Sequence, residues 1–129
     1  MKHAQYLLPI ILATLTLVGC NSDKRKIEQV AYGYVMATGN FHIDEAEPYA
    51  TRETRESTLS LARDLMPYTD SNFLKTAVPA TATIDSVALY NDSTALAFYT
   101  KTNPLGTSSD TLIVIKEDGK WLVHMPLAN

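Results

Sequence analysis

Five side chains in this sequence are the candidates to move a proton or hold a polar ligand: His124, Asp85, Tyr34, Tyr49 and Tyr99. His124 sits in the apolar run Leu122-Val123-His124-Met125, and histidine is the usual proton carrier near neutral pH. Paired with Asp85 it would suit proton abstraction. The competing reading is a hydrogen-bonded structural or interface histidine, since no motif surrounds it. The catalytic candidates are therefore His124, Asp85 and Tyr99, and the ligand-binding candidates Tyr34, Tyr49 and His124. Each tyrosine also reads as a core residue with a bonded hydroxyl. His42, Asp44, Glu45 and Glu47 gather an imidazole and three carboxylates within six residues. Carboxylates in the first turn of a helix complement its dipole without any metal, so no metal site is expected there. Nucleophile elbow, phosphate-binding glycine loop, zinc helix motif and calcium loop are all missing from the sequence, and no cofactor is expected.

These residues must be positioned by elements legible in the patterning. Ile27, Val30, Ala31, Tyr34 and Val35 recur at the spacing of one helical face, which predicts a first helix over 24–38. Asp23 would cap it, and Gly39-Asn40 would supply the left-handed residues that close it. Asp44-Glu45-Ala46-Glu47 starts a short second helix, with Pro48 tolerated in its first turn. Thr51 caps a third over 52–66, ended by Pro67; a connection with one short helical turn fills 67–80. From Thr81 the composition turns β-branched and aromatic. Strands are predicted over 83–90, 93–101, 111–117 and 120–126. Asn91-Asp92 makes a tight turn, and Asn103-Pro104-Leu105-Gly106 with Ser108 and Ser109 a longer loop. Asp118-Gly119 closes a two-residue hairpin, pairing Glu117 with Lys120, Lys116 with Trp121, Val114 with Val123 and Ile113 with His124. Helices first and strands after read as α+β, with the helices packed on a four-stranded antiparallel sheet.

The amino terminus has its own logic. Lys2 precedes an apolar run, Tyr6 to Val18, that is short for a helix crossing ~30 Å of hydrocarbon but suits a signal-peptide core. Leu17-Val18-Gly19-Cys20 resembles the lipobox of bacterial lipoproteins. That resemblance implies a signal peptide over 1–19, palmitate-type lipid on Cys20, a tether over 20–23 and a domain over 24–129. Cys20 is the sole cysteine, so neither an internal disulfide nor a thiolate metal cage can form. Removing residues 1–19 from the 129 leaves 110, with 10 basic against 14 acidic groups once Lys2 is gone, a charge near −4. Such a balance gives no support to nucleic-acid binding. Asn21, where an aspartate often retains lipoproteins in the inner membrane, implies the periplasmic face of the outer membrane. Lys24, Arg25 and Lys26 would lie nearest the lipid, as headgroup contacts or as a solvated first turn.

The order of elements resembles the nuclear-transport-factor-2-like (cystatin-like) fold, and more narrowly the small uncharacterised lipoproteins that share it. Ala31-Tyr32-Gly33-Tyr34, Asp44-Glu45-Ala46-Glu47-Pro48-Tyr49 and Asp118-Gly119-Lys120-Trp121-Leu122-Val123 carry the likeness. It implies a curved sheet wrapped over the long helix, with a cone that serves as active site, ligand pocket or core. A structural module would fill that cone with Phe98, Met66 and Trp121. Both faces of the last hairpin are apolar, which predicts a cover for the second face, and a homodimer through the sheet is the simplest. Asp85-Ser86-Val87, Asp92-Ser93-Thr94 and Asp110-Thr111-Leu112 are also similar to an O-glycosylation signal of exported proteins, though exposed turns favour Asp and Ser anyway. The leading expectation is a non-enzymatic lipoprotein domain that binds a small ligand or protein partner. The alternative is a small lyase or isomerase of the polyketide-cyclase or dehydratase type.

Overall fold

A computed structural model describes residues 22–128; the leader, the lipobox and Cys20 lie outside the described residues. The first helix, α1, covers residues 22–39. It buries Ile27, Ala31, Tyr34 and Val35, the face that the periodicity marks out. Asp23 lies inside the helix rather than capping it, and its carboxylate accepts a 3.4 Å bond from the Trp121 indole N–H. The closing residue also differs from expectation. Phe41, at φ 60°, takes the left-handed conformation, while the His42 N–H reaches back to Ala37 O and the Phe41 N–H to Thr38 O. That pattern satisfies the last carbonyls of the helix.

Helix α2 (Ile43–Ala46) runs into a 3₁₀ turn, Glu47–Tyr49, with Pro48 at its start. Thr51 caps α3, accepting from the Thr54 N–H. This helix comprises Arg52–Thr54, a π-helical stretch Arg55–Leu59, and Ser60–Leu65. The 3.6-residue period gave no sign of the π stretch. After a 3₁₀ turn at Met66–Tyr68, Asp70 caps the short α4 (Ser71–Thr76). Among the described residues no helix is long and apolar enough to cross a membrane.

Four antiparallel strands follow in the order β1-β2-β3-β4: Thr81–Asn91, Thr94–Asn103, Gly106–Glu117 and Lys120–Val123. The last hairpin has the predicted register. Asp118 and Gly119 both take positive φ, 52° and 78°, as a turn matched to strand twist requires. Two predicted loops are corrected. The first turn is Asp92-Ser93, one residue later than expected, because Asn91 pairs with Thr94. The long loop at 103–109 is instead a tight turn: Asn103 pairs with Gly106, and the Asn103 side chain accepts from the Leu105 N–H. Ser108 and Ser109 therefore belong to the ladder. The fourth strand is shorter than predicted because the chain leaves it for α3, where the Met125 N–H donates to Thr54 Oγ1.

The core lies between the sheet and the helices. Ala95, Ala97, Leu112, Val114, Trp121 and Val123 face Ile27, Ala31, Tyr34 and Leu59. Strand alternation sends Leu96, Ile113, Ile115 and Leu122 to the opposite face. Phe98 goes with them and is 37% exposed, so it does not fill the cone; Met66 and Trp121 do pack on the core.

Candidate functional site

The structure separates the two residues that the sequence suggested as a dyad. Asp85 is the extra residue of a bulge between Ile84 and Ser86 in β1, where it is exposed and accepts from Thr100 Oγ1 at 2.7 Å. His124 directly follows β4, at the other edge of the sheet. Three strand spacings, roughly 14 Å across the sheet, separate their strands, and the register sets His124 in line with Ile113, Leu96 and Ala88 rather than Asp85. His124 has partners of its own. Its Nδ1 lies 2.9 Å from Thr51 Oγ1, which in turn lies 2.8 Å from Thr54 Oγ1, and its Nε2 is 3.8 Å from Glu53. Its backbone N–H donates to Ile113 O at 2.8 Å. This network knits the strand end to the cap of α3, and Thr51 and Thr54 are fully buried within it.

Tyr34 and Tyr99 come together between α1 and β2. Burial, then the neighbouring Tyr99, raises the Tyr34 phenol above its ordinary value. Burial, then Asp110, raises that of Tyr99. Both remain neutral at physiological pH and behave as core phenols. The four-residue cluster near α2 is drawn into ion pairs. The Arg63 guanidinium bonds both Asp44 and Glu47, and His42 Nδ1 lies 3.2 Å from Glu45. Those bonds to two carboxylates hold the Arg63 pKa above its usual value. Of the three hydroxyls in Asp-Ser or Asp-Thr triplets, Ser86 and Ser93 are exposed and Thr111 is half-buried.

Tyr49 is the candidate that borders open space. Its ring lies on Gly33 so closely that a Cβ there would come within 2.5 Å of the ring. A side chain at that position would displace the ring, so glycine there serves contact rather than backbone freedom. The ring stands between two open clefts. One, of about 390 Å³, lies between the start of α1 and the β3–β4 hairpin and is lined by Lys26, Val30, Tyr49, Lys116, Lys120 and Trp121 among others. The second, of about 740 Å³, runs between α1 and α2 past Tyr32, Gly33, Met36, His42 and Tyr49. Sequence reasoning missed Tyr32, Lys116 and Lys120. Tyr32 lies one position off the buried stripe of α1, which marks it as surface. The two lysines flank a hairpin turn, where charges are ordinary.

No family model and no curated protein matches the chain. Its backbone is similar to an NTF-2-like protein of unknown function from Shewanella oneidensis, with a TM-score of 0.55 and 17% identity. The match covers 78% of this chain and 95% of that one. The chain has the NTF-2-like fold. At that identity the likeness carries architecture alone: helices first, then a curved four-stranded antiparallel sheet wrapped over α1. Within the NTF-2-like fold of this chain, Tyr34, Tyr99 and Trp121 pack in the core between sheet and helix, and the open clefts lie beside α1, one against the β3–β4 hairpin and one against α2.

Proposed function

We propose that this chain is a lipoprotein, lipidated on Cys20 and held at the periplasmic face of the outer membrane, whose domain binds a small ligand or a partner segment without transforming it. One observation carries the binding reading: the Tyr49 ring, packed on Gly33, forms the common wall of two open clefts of several hundred Å³. Clefts of that size that bring aromatic and a few polar groups together suit ligand binding. The acid-base candidates point the same way, since His124 and Asp85 serve opposite sheet edges.

Native mass spectrometry of the chain from its host tests this reading. A co-purifying mass that is lost in Tyr32→Ala, an exposed residue of the larger cleft, supports it; a bare polypeptide-plus-lipid mass argues against it. Labelled palmitate tests the anchor: incorporation into the chain and loss in Cys20→Ser is the expected result, and persistence in that variant would sink it. A second copy of the chain is the proposed cover for the outer sheet face of Leu96, Phe98, Ile113, Ile115 and Leu122. Solution scattering that reports a monodisperse monomer would overturn that part.

A further inference from the structure

We infer that the smaller cleft, between the first turns of α1 and the β3–β4 hairpin, seats the phosphate of an anionic lipid headgroup in the membrane that carries the chain. This rests on the lipid anchor proposed above and says where the domain touches that membrane.

The cleft gathers Lys26 from α1 and Lys116 and Lys120 from the hairpin, against one carboxylate, Asp23. A chain with fewer basic than acidic groups thus concentrates three cations on one concave surface. That carboxylate, Asp23, accepts a 3.4 Å bond from the Trp121 indole N–H and keeps its negative charge, which leaves three cations against one anion on the cleft. Among the described residues, none of the three lysines forms an ion pair with a carboxylate. Lys116 instead lies over the Trp121 ring, 5.3 Å from its centroid. Lys26 and Lys116 border the cleft from two elements, Lys116 on the Trp121 face of the hairpin, and Lys120 reaches its rim from the opposite face across from Glu117. With no ion pair at any of the three among the described residues, the cleft presents cations to a phosphate.

The tether selects the source of that phosphate. Helix α1 is already formed at residue 22, two residues after Cys20, so the anchor lies within about 7 Å of chain from the helix start. Asp23 and Lys26, one turn further on, line the cleft. Lys24 and Arg25 are exposed on the same turn. Basic groups this close to a membrane feel the negative potential of anionic lipids, which falls away within a Debye length. A partner protein would have to compete with a surface that the anchor keeps adjacent.

Trp121 is the sole tryptophan and lines the cleft, so it reports directly. The full chain, purified from its host with whatever lipid it carries, is reconstituted into phosphatidylcholine vesicles, and into the same vesicles with phosphatidylglycerol, each with a trace of lipid spin-labelled on the headgroup. The expected result is stronger quenching of Trp121 emission with phosphatidylglycerol, lost at ~1 M salt, where the Debye length is about 3 Å. The triple variant Lys26→Gln, Lys116→Gln, Lys120→Gln should abolish the difference, each lysine being worth about five-fold in surface affinity. Equal quenching in both vesicles, or a difference that survives in the triple variant, overturns the inference. So does reversal of the difference by millimolar inorganic phosphate, which would make the site one for the free ion. Flotation scores the anchor separately. A chain that floats with phosphatidylcholine is anchored whatever its cleft does. One that floats with phosphatidylglycerol alone keeps the cleft site without the anchor, and one that floats with neither loses both.

Discussion

The two edges of the sheet are built to opposite standards. Beyond β4, Ala50 forms a parallel bridge with Val123, and the Thr51 N–H donates to Val123 O at 2.9 Å. The tail past His124 is then stitched to α3 through Thr54, Ser57 and Thr58. At the other edge, β1 pairs with β2 alone and leaves Asp85, Ser86, Ala88, Leu89 and Tyr90 exposed. The lesson concerns polar residues. The same kind of side chain is structural where the edge is sealed and solvated where it is open. His124 belongs to the first case and Asp85 to the second.

The contrast can be broken most severely at Trp121, 4% exposed and next to the sealed edge. Trp121→Ala should cost about 3–5 kcal/mol, read as a lowered urea midpoint; a loss below 1 kcal/mol would show that this edge is not well packed. Thr51→Ala removes a helix cap and the partner of His124 together, and about 1–2 kcal/mol should be lost. His124→Ala should act through the same network, so the double variant should lose less than the sum of the two, as a double-mutant cycle will show. The alkaline limb of stability tests the interior behind the sheet. Burial holds the Tyr34 phenol above its unfolded value, so its contribution is intact below about pH 10 and is lost as pH rises through the higher folded value. Tyr34→Phe should flatten that decline in denaturant midpoints measured from neutral to alkaline pH. The smallest effect belongs to the open edge: Asp85→Asn should change stability by no more than about 0.5 kcal/mol. It should also leave ligand binding unchanged, and a binding defect would restore Asp85 as a site residue.

Much of the fold was legible because its signals are local. The stripe Ile27-Ala31-Tyr34 marks a helix whose buried face is the one observed, and Asp118-Gly119 sets a register through the positive φ its turn demands. The misses were local signals overruled by neighbours. Asn103-Pro104-Leu105-Gly106 reads as loop chemistry, yet Ser108 and Ser109 enter the ladder because β2 offers paired hydroxyls, Thr100 meeting Ser109 and Thr102 meeting Thr107. The site was less legible. Tyr49 could be picked out, but Gly33 as its seat required a contact across the fold.

The sequence by itself determined the order of elements, the face of α1 that is buried and the pairing of the last hairpin, since each depends on residues within a few positions of one another. Tertiary structure alone decided which apolar face of that hairpin meets the helices, and what His124 does. Its ring answers to Thr51, 73 positions away, because Ala50 and Thr51 close the β4 edge. The placing of Lys26 beside the hairpin of Lys116 and Lys120, around one cleft, is of the same kind. Chain period sets which side of an element a residue takes, while only packing sets what stands opposite.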